Sequence, residues 1–144
     1  MPIKVLVEAE VNPTEELNKV KRAIKNVFVP AMYRIENREG KKYLVAEGYG
    51  STSLIKLYKL LRMQRILDAA REYILKGVQG NKIVFYLHKQ AAFAGVATFC
   101  DEEIESPLGP IKFTIECSDI EAVVNWLTPK TYQGKPIREH PPPD

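Results

Sequence analysis

The sequence predicts an α+β fold, a single domain in which a mostly antiparallel sheet carries helices on one face, and three observations support it. Strand-like segments come largely as hairpins or near-hairpins, helical segments fall between them without a regular strand–helix alternation, and 144 residues with 45% hydrophobic content suffice for one core. No internal repeat or interdomain linker interrupts the pattern, so residues 1–128 are expected to form one domain, with 129–144 as a proline-rich arm.

Residues 3–11 alternate Ile3, Val5, Val7, Ala9 and Val11 against Glu8 and Glu10, the period of a half-buried strand. Asn12 before Pro13, with Glu15 three residues later, has the form of a capping box, and Leu17, Val20, Ile24, Val27 and Phe28 follow at helical spacing. Residues 30–37 and 42–49 are rich in Tyr, Val and Ile around Asn37-Arg38-Glu39-Gly40-Lys41, a hairpin closed near Gly40. The run Ser51-Thr52-Ser53 offers N-caps for a helical region ending at Gly77. On its wheel Leu54, Leu57, Tyr58 and Leu61 cluster opposite Met63, Ile66, Leu67, Ala70 and Ile74. That pattern predicts two successive helices, about 52–60 and 62–76, although one helix buried on both sides would also satisfy it. Residues 82–88 and 95–99 read as strands with a turn or single helical turn between them. Residues 111–117 alternate as a further strand, Ser118 and Glu121 suggest a second capping box, and a short last helix ends at Pro129.

Twenty-one basic residues against 18 acidic give a net charge of only +3, but the excess is localised. Residues 51–77 hold Lys56, Lys59, Arg62, Arg65, Arg71 and Lys76 against Asp68 and Glu72, a net of +4, whereas the remaining 15 basic and 16 acidic residues sum to −1. Such a stripe suits sequence-independent contact with RNA phosphates; a solvated helix face with internal pairs such as Asp68 with Arg71 is the competing reading. A second candidate, for a ligand or anion, combines Ser51 and Thr52 at a helix start with His88, Lys89 and Gln90 at a strand end. Equally, Ala91 and Ala92 serve there to let a turn tuck beneath a helix.

Catalytic machinery is not expected. Two histidines, His88 and His140, and two cysteines, Cys100 and Cys117, match no metal-ligand or nucleophile spacing, so no catalytic residue, metal or cofactor is assigned. Gly77-Val78-Gln79-Gly80 has the spacing of a KH backbone clamp but follows a helix and precedes a strand, the place of a helix cap and a turn. Tyr33, Tyr43, Tyr49 and Tyr86 are candidates for base stacking, with sheet packing the simpler role. No apolar run is long enough to cross a bilayer and no secretory signal is evident, so a cytoplasmic protein is expected.

Asn12-Pro-Thr-Glu-Glu16, Leu61-Arg-Met-Gln-Arg-Ile-Leu-Asp-Ala-Ala-Arg71, His88-Lys-Gln-Ala-Ala-Phe-Ala-Gly95, Ser106-Pro-Leu-Gly-Pro-Ile111 and the segment from Trp126 to Glu139 together resemble an archaeal family labelled predicted RNA-binding or exosome-associated. The resemblance implies a fold like that of the fifth large-subunit ribosomal protein and RNA as a partner. It also implies a P-loop kinase-like protein as a further partner, since some relatives carry such a domain. It brings no catalytic residues, and where this chain has His88 the family more usually has Asn. The alternative to an RNA-associated module is a homodimeric scaffold, suggested by the apolar face change along 54–74 and by an arm long enough to cross an interface.

Overall fold

The computed structural model describes residues 3–102 and 109–144, so part of the acidic segment before residue 110, with Ser106 to Leu108 of the family motif, lies outside the described residues. The elements in chain order are β1 (Lys4–Val11), α1 (Leu17–Val27), β2 (Met32–Arg38), β3 (Lys41–Tyr49), a 3₁₀ turn (Ser51–Leu54), α2 (Ile55–Met63), α3 (Leu67–Lys76), β4 (Val78–Gln79) and β5 (Lys82–His88). They continue with α4 (Lys89–Phe93), β6 (Phe99–Cys100), β7 (Pro110–Glu116), α5 (Ile120–Leu127), β8 (Thr131–Tyr132) and β9 (Lys135–Pro136). The main sheet runs β2-β3-β1-β7-β5-β4, with β6 also on β5, and every pairing is antiparallel. The α+β architecture expected from sequence is therefore the one observed.

Register puts the alternating apolar residues into one layer. Val7 lies opposite both Ala46 and Phe113, and Phe113 opposite Phe85, so one row of inward side chains crosses four strands. Helical residues Val20, Ile24, Val27, Leu57, Leu61, Ala70, Ile74, Val124 and Leu127 close over that row in a single core. Phe113 anchors it, meeting Phe28 edge-on at 5.9 Å and stacking on Phe85 at 4.9 Å.

Local chemistry explains each boundary. Glu15 makes the expected turn with Asn12, its Oε1 accepting from the Asn12 N–H at 3.1 Å and Nδ2 at 2.8 Å, but Glu16 is extended and the helix begins only at Leu17. The hairpin turns on Glu39 and Gly40, both with positive φ (50° and 81°), the twist that matches two antiparallel strands. The central region does break, at 64–66, where Arg65 takes φ 57°. Met63 was expected to point inward with Ile66 and Leu67, yet it is 74% exposed. It ends α2 and lies about 200° around that helix from Leu61, so the face it was grouped with belongs to a different helix.

Residues 95–99 form less strand than expected, because their backbone groups are taken elsewhere. Gly95 and Val96 N–H groups donate to Ala92 and Ala91 carbonyls at the end of α4, and the Gln64 side chain bonds both the N–H and C=O of Ala97 at 2.8 Å. The last helix is capped by Asp119 rather than Ser118, its Oδ1 accepting from the Ala122 N–H at 3.1 Å. Gly77 caps α3 and is required there: a Cβ would lie 1.8 Å from the Val84 carbonyl oxygen. The segment after Pro129 is not a free arm. It forms the β8–β9 hairpin, ties Thr131 Oγ1 to the Asp68 carboxylate, and returns to the helix layer through Glu139 and Asp144.

Candidate nucleic-acid interface

The six cations of the central helices are not one free set, because two of them are engaged within the fold. Arg62 and Arg71 turn inward along α5. Arg62 Nη1 and Nη2 donate to the Leu127 and Trp126 carbonyls, both at 3.2 Å, and Arg71 Nη1 donates to the Thr128 carbonyl at 2.7 Å and Asn125 Oδ1 at 3.2 Å. These are the unpaired carbonyls of a helix C-terminus, where a guanidinium is favoured. Arg62 also lies 3.4 Å over the Tyr58 ring and pairs with Glu139 at 2.7 Å. The expected Asp68–Arg71 pair is replaced by Asp68 with Thr131 and Arg71 with α5. Lys56, Lys59, Arg65 and Lys76 remain exposed, Lys76 lying 5.4 Å from the Tyr73 ring centre.

Two cations that the sequence reading passed over complete a surface with Lys56 and Lys59. The Lys56 ammonium donates to the Lys25 carbonyl at the end of α1, at 2.6 Å, which brings the two helices side by side. Arg22 and Lys25 are one turn apart on α1, as Lys56 and Lys59 are on α2, and neither helix contains an acidic residue. Among the described residues no carboxylate comes within ion-pair distance of these four side chains. Counting charge by contiguous window hid this row; counting acid-free helices would have found it.

The outward face of the sheet has the opposite character. Most of its cations are matched within or across strands: Arg38 with Glu8 and Glu36, Arg34 with Glu36 and Glu47, Lys4 with Glu47, Lys41 with Glu10, and Lys82 with Glu116. The tyrosines there are engaged too, Tyr43 beneath Arg38 at 4.8 Å and Tyr49 donating to Glu47 at 2.6 Å. That hydroxyl, with Lys4 and Arg34 nearby, holds the Glu47 carboxyl below its usual range.

The second candidate set divides between the two ends of β1. The Ser51 N–H donates to Asp144 Oδ1 at 2.7 Å beside Ile3, whereas Lys89 donates to the Glu10 carbonyl at 2.7 Å, so these contacts lie about 23 Å apart along the strand. Neither Ser51 nor Thr52 caps the helix with its side chain; Ser53 Oγ donates to the Gly50 carbonyl at 2.7 Å. His88 caps α4, Nδ1 accepting from the Ala91 N–H at 3.4 Å, and Gln90 is exposed. Lys89 is only 4% exposed and forms an ion pair with Glu15 at 3.0 Å. A cavity of about 240 Å³ lies beside that pair, edged by Thr14, Glu16, Lys19, Gln90 and Phe93. Ala92 is buried and its carbonyl accepts from Asn26 of α1, so the small residues do tuck a turn beneath a helix.

Reactive groups are muted. Burial, with Asp101 nearby, pushes the Cys100 thiol up to about 11, leaving little thiolate at neutral pH, and Cys117 is raised in the same way beside Asp119. Among the described residues no cluster of His, Cys, Asp and Glu has the makings of a metal site, and no helix is long and apolar enough to cross a membrane. Both features that suggested self-association are used within one chain: the two apolar faces of 54–74 enter the same core, and the terminal segment returns to its own helices.

Comparison with known proteins identifies the family. A family model described as RNA binding matches residues 4–117. The UPF0201 protein of Sulfurisphaera tokodaii is 50% identical over 140 residues, 97% of each chain, and that of Sulfolobus acidocaldarius 51% identical over 137 residues, 95% of this chain and 94% of the relative. The crystal structure of a UPF0201 protein from Methanococcus jannaschii superposes with a TM-score of 0.83 at 34% identity, covering 94% of this chain and 99% of that one. Mth689, a DUF54 protein from Methanothermobacter thermautotrophicus, shares the fold alone, with a TM-score of 0.58 at 20% identity over 87% of this chain and 95% of its own. With half the residues identical along nearly the whole length, and a solved relative of the same fold, the chain belongs to the archaeal UPF0201 family, within the family described as RNA binding.

Proposed function

We propose that the protein binds RNA, without base-specific readout, through the cationic row of its helix layer: Arg22 and Lys25 of α1 with Lys56 and Lys59 of α2. The observation that carries this reading is the Lys56 contact to the Lys25 carbonyl, which joins two acid-free helices into one surface. Phosphate contacts need exposed cations that are not neutralised by a carboxylate; among the described residues these four, with Arg22 also 5.5 Å from the Phe93 ring centre, meet that requirement where the ion-paired sheet does not. The RNA-binding description of the matching family supports the same class of ligand.

Fluorescence anisotropy with a labelled oligouridine tests it. Four phosphate contacts on a single strand give a slope of log affinity against log salt near −3, from about 0.7 per contact. The double substitution Lys56→Glu with Lys59→Glu is expected to flatten the slope by about 1.4 and weaken binding at low salt, whereas Lys82→Glu on the sheet leaves both unchanged. Binding that is absent, salt-independent or indifferent to the helix substitutions rejects this function.

A further inference from the structure

Residues 139–144, Glu-His-Pro-Pro-Pro-Asp, are laid against the central helices and held at their two ends. Glu139 grips Arg62, its Oε1 accepting from Nη2 at 2.7 Å and its Oε2 from Nε at 3.0 Å, and also accepts from the Tyr58 hydroxyl at 3.4 Å. Asp144 takes the other end, Oδ1 accepting from the Ser51 N–H at 2.7 Å and Oδ2 from the Ile3 N–H at 3.4 Å. Gly50, whose φ of 75° favours glycine, forms the turn beside the Asp144 carboxylate, where a Cβ would stand at ordinary contact distance, 3.4 Å.

The lengths match. From Ser51 to Arg62 the 3₁₀ turn and α2 rise about 16–18 Å. Five steps of proline-rich chain at 3.1 Å cover about 16 Å. Three successive prolines fix φ and keep the segment extended, so they act as a spacer that sets one carboxylate over each end. Pro141 and Pro142 are exposed, which leaves the two polar ends as the anchors of the segment. A carboxylate at an arginine fork and at a free helix amide occupies the positions a phosphate oxygen would take. Lys59, one turn before Arg62, stands beside the same track.

We propose that residues 139–144 are an acidic strap that occupies Arg62 and the Ser51 amide in competition with a phosphate-bearing ligand, so that RNA engaging the helix row displaces the strap and gains Arg62. This rests on the RNA reading given above. The test uses the full chain carrying Glu139→Gln with Asp144→Asn, oligouridine as the probe, and NMR of the Ser51 amide. The double variant, first shown to melt like the wild type, is expected to bind about tenfold more tightly at low salt. Its salt slope should steepen by about 0.7, one further contact, and its Ser51 amide should shift on addition of RNA. Unchanged affinity and slope with an unmoved Ser51 amide overturn the strap. Should neither protein bind RNA, the RNA reading alone falls and inorganic phosphate decides. A shift of the Ser51 amide in the double variant and none in the wild type upholds the competition, and no shift in either overturns it.

Discussion

Lys89 is the one cation among the buried residues described, and its surroundings say what the His88-Lys89-Gln90 segment is for. Its ammonium joins the end of β1, through the Glu10 carbonyl, to Glu15 in the turn that precedes α1. A buried charge is tolerated when its partner and hydrogen bonds are in place, and removing one member strands the other. Lys89→Met is therefore expected to cost about 3–5 kcal/mol in urea unfolding, and adding Glu15→Gln should restore most of that loss. The sequence marked this segment as part of a ligand or anion candidate. It did not show the ion pair, because Lys89 and Glu15 lie 74 positions apart and nothing local links them.

At the scale of elements, periodicity was legible and partnership was not. Alternation located β1, β5 and β7 to within a residue or two, and the two-faced wheel predicted two helices, although their break falls at 64–66 instead of near 60–62. The short β6 escaped, since its length depends on a side chain from another element. Gln64, in the α2–α3 break, offers its amide to both backbone groups of Ala97 as a neighbouring strand would. Ala97 is 1% exposed, so no water replaces those bonds if they are lost. Gln64→Ala should then cost about 3 kcal/mol, from two backbone groups left unsatisfied, and speed amide exchange at Ala97 and its neighbours. Substitution of exposed Met63 by Ala, immediately before the break, should change stability by less than about 0.5 kcal/mol.

Across the whole molecule, three carboxylates that tie distant parts together are held below the ordinary value of 4.5. For Glu15, burial works upward but is outweighed by the bonds from Asn12 and by Lys89. The Tyr49 hydroxyl lowers Glu47 and the Arg62 guanidinium lowers Glu139. A carboxylate whose folded pKa is depressed stabilises the fold fully above its unfolded pKa, and that contribution fades as pH falls through the folded value. Urea midpoints measured across a pH series should thus hold steady above about 5 and decline on acidification below about 4.5, with a shallower decline in Glu15→Gln. The cationic row belongs to this scale as well: α1 and α2 each looked like an ordinary amphipathic helix until folding set Lys56 against Lys25.

The sheet order carries one more consequence. β1 lies between β3 and β7, with Lys4 opposite both Tyr49 and Glu116. During synthesis its second neighbour emerges about a hundred residues after it, and such distant pairing slows closure through the entropy of the intervening loop. A nascent chain can complete β1–β3 and β2–β3 early, but one side of its central strand stays open to other chains until nearly all of the protein has left the ribosome.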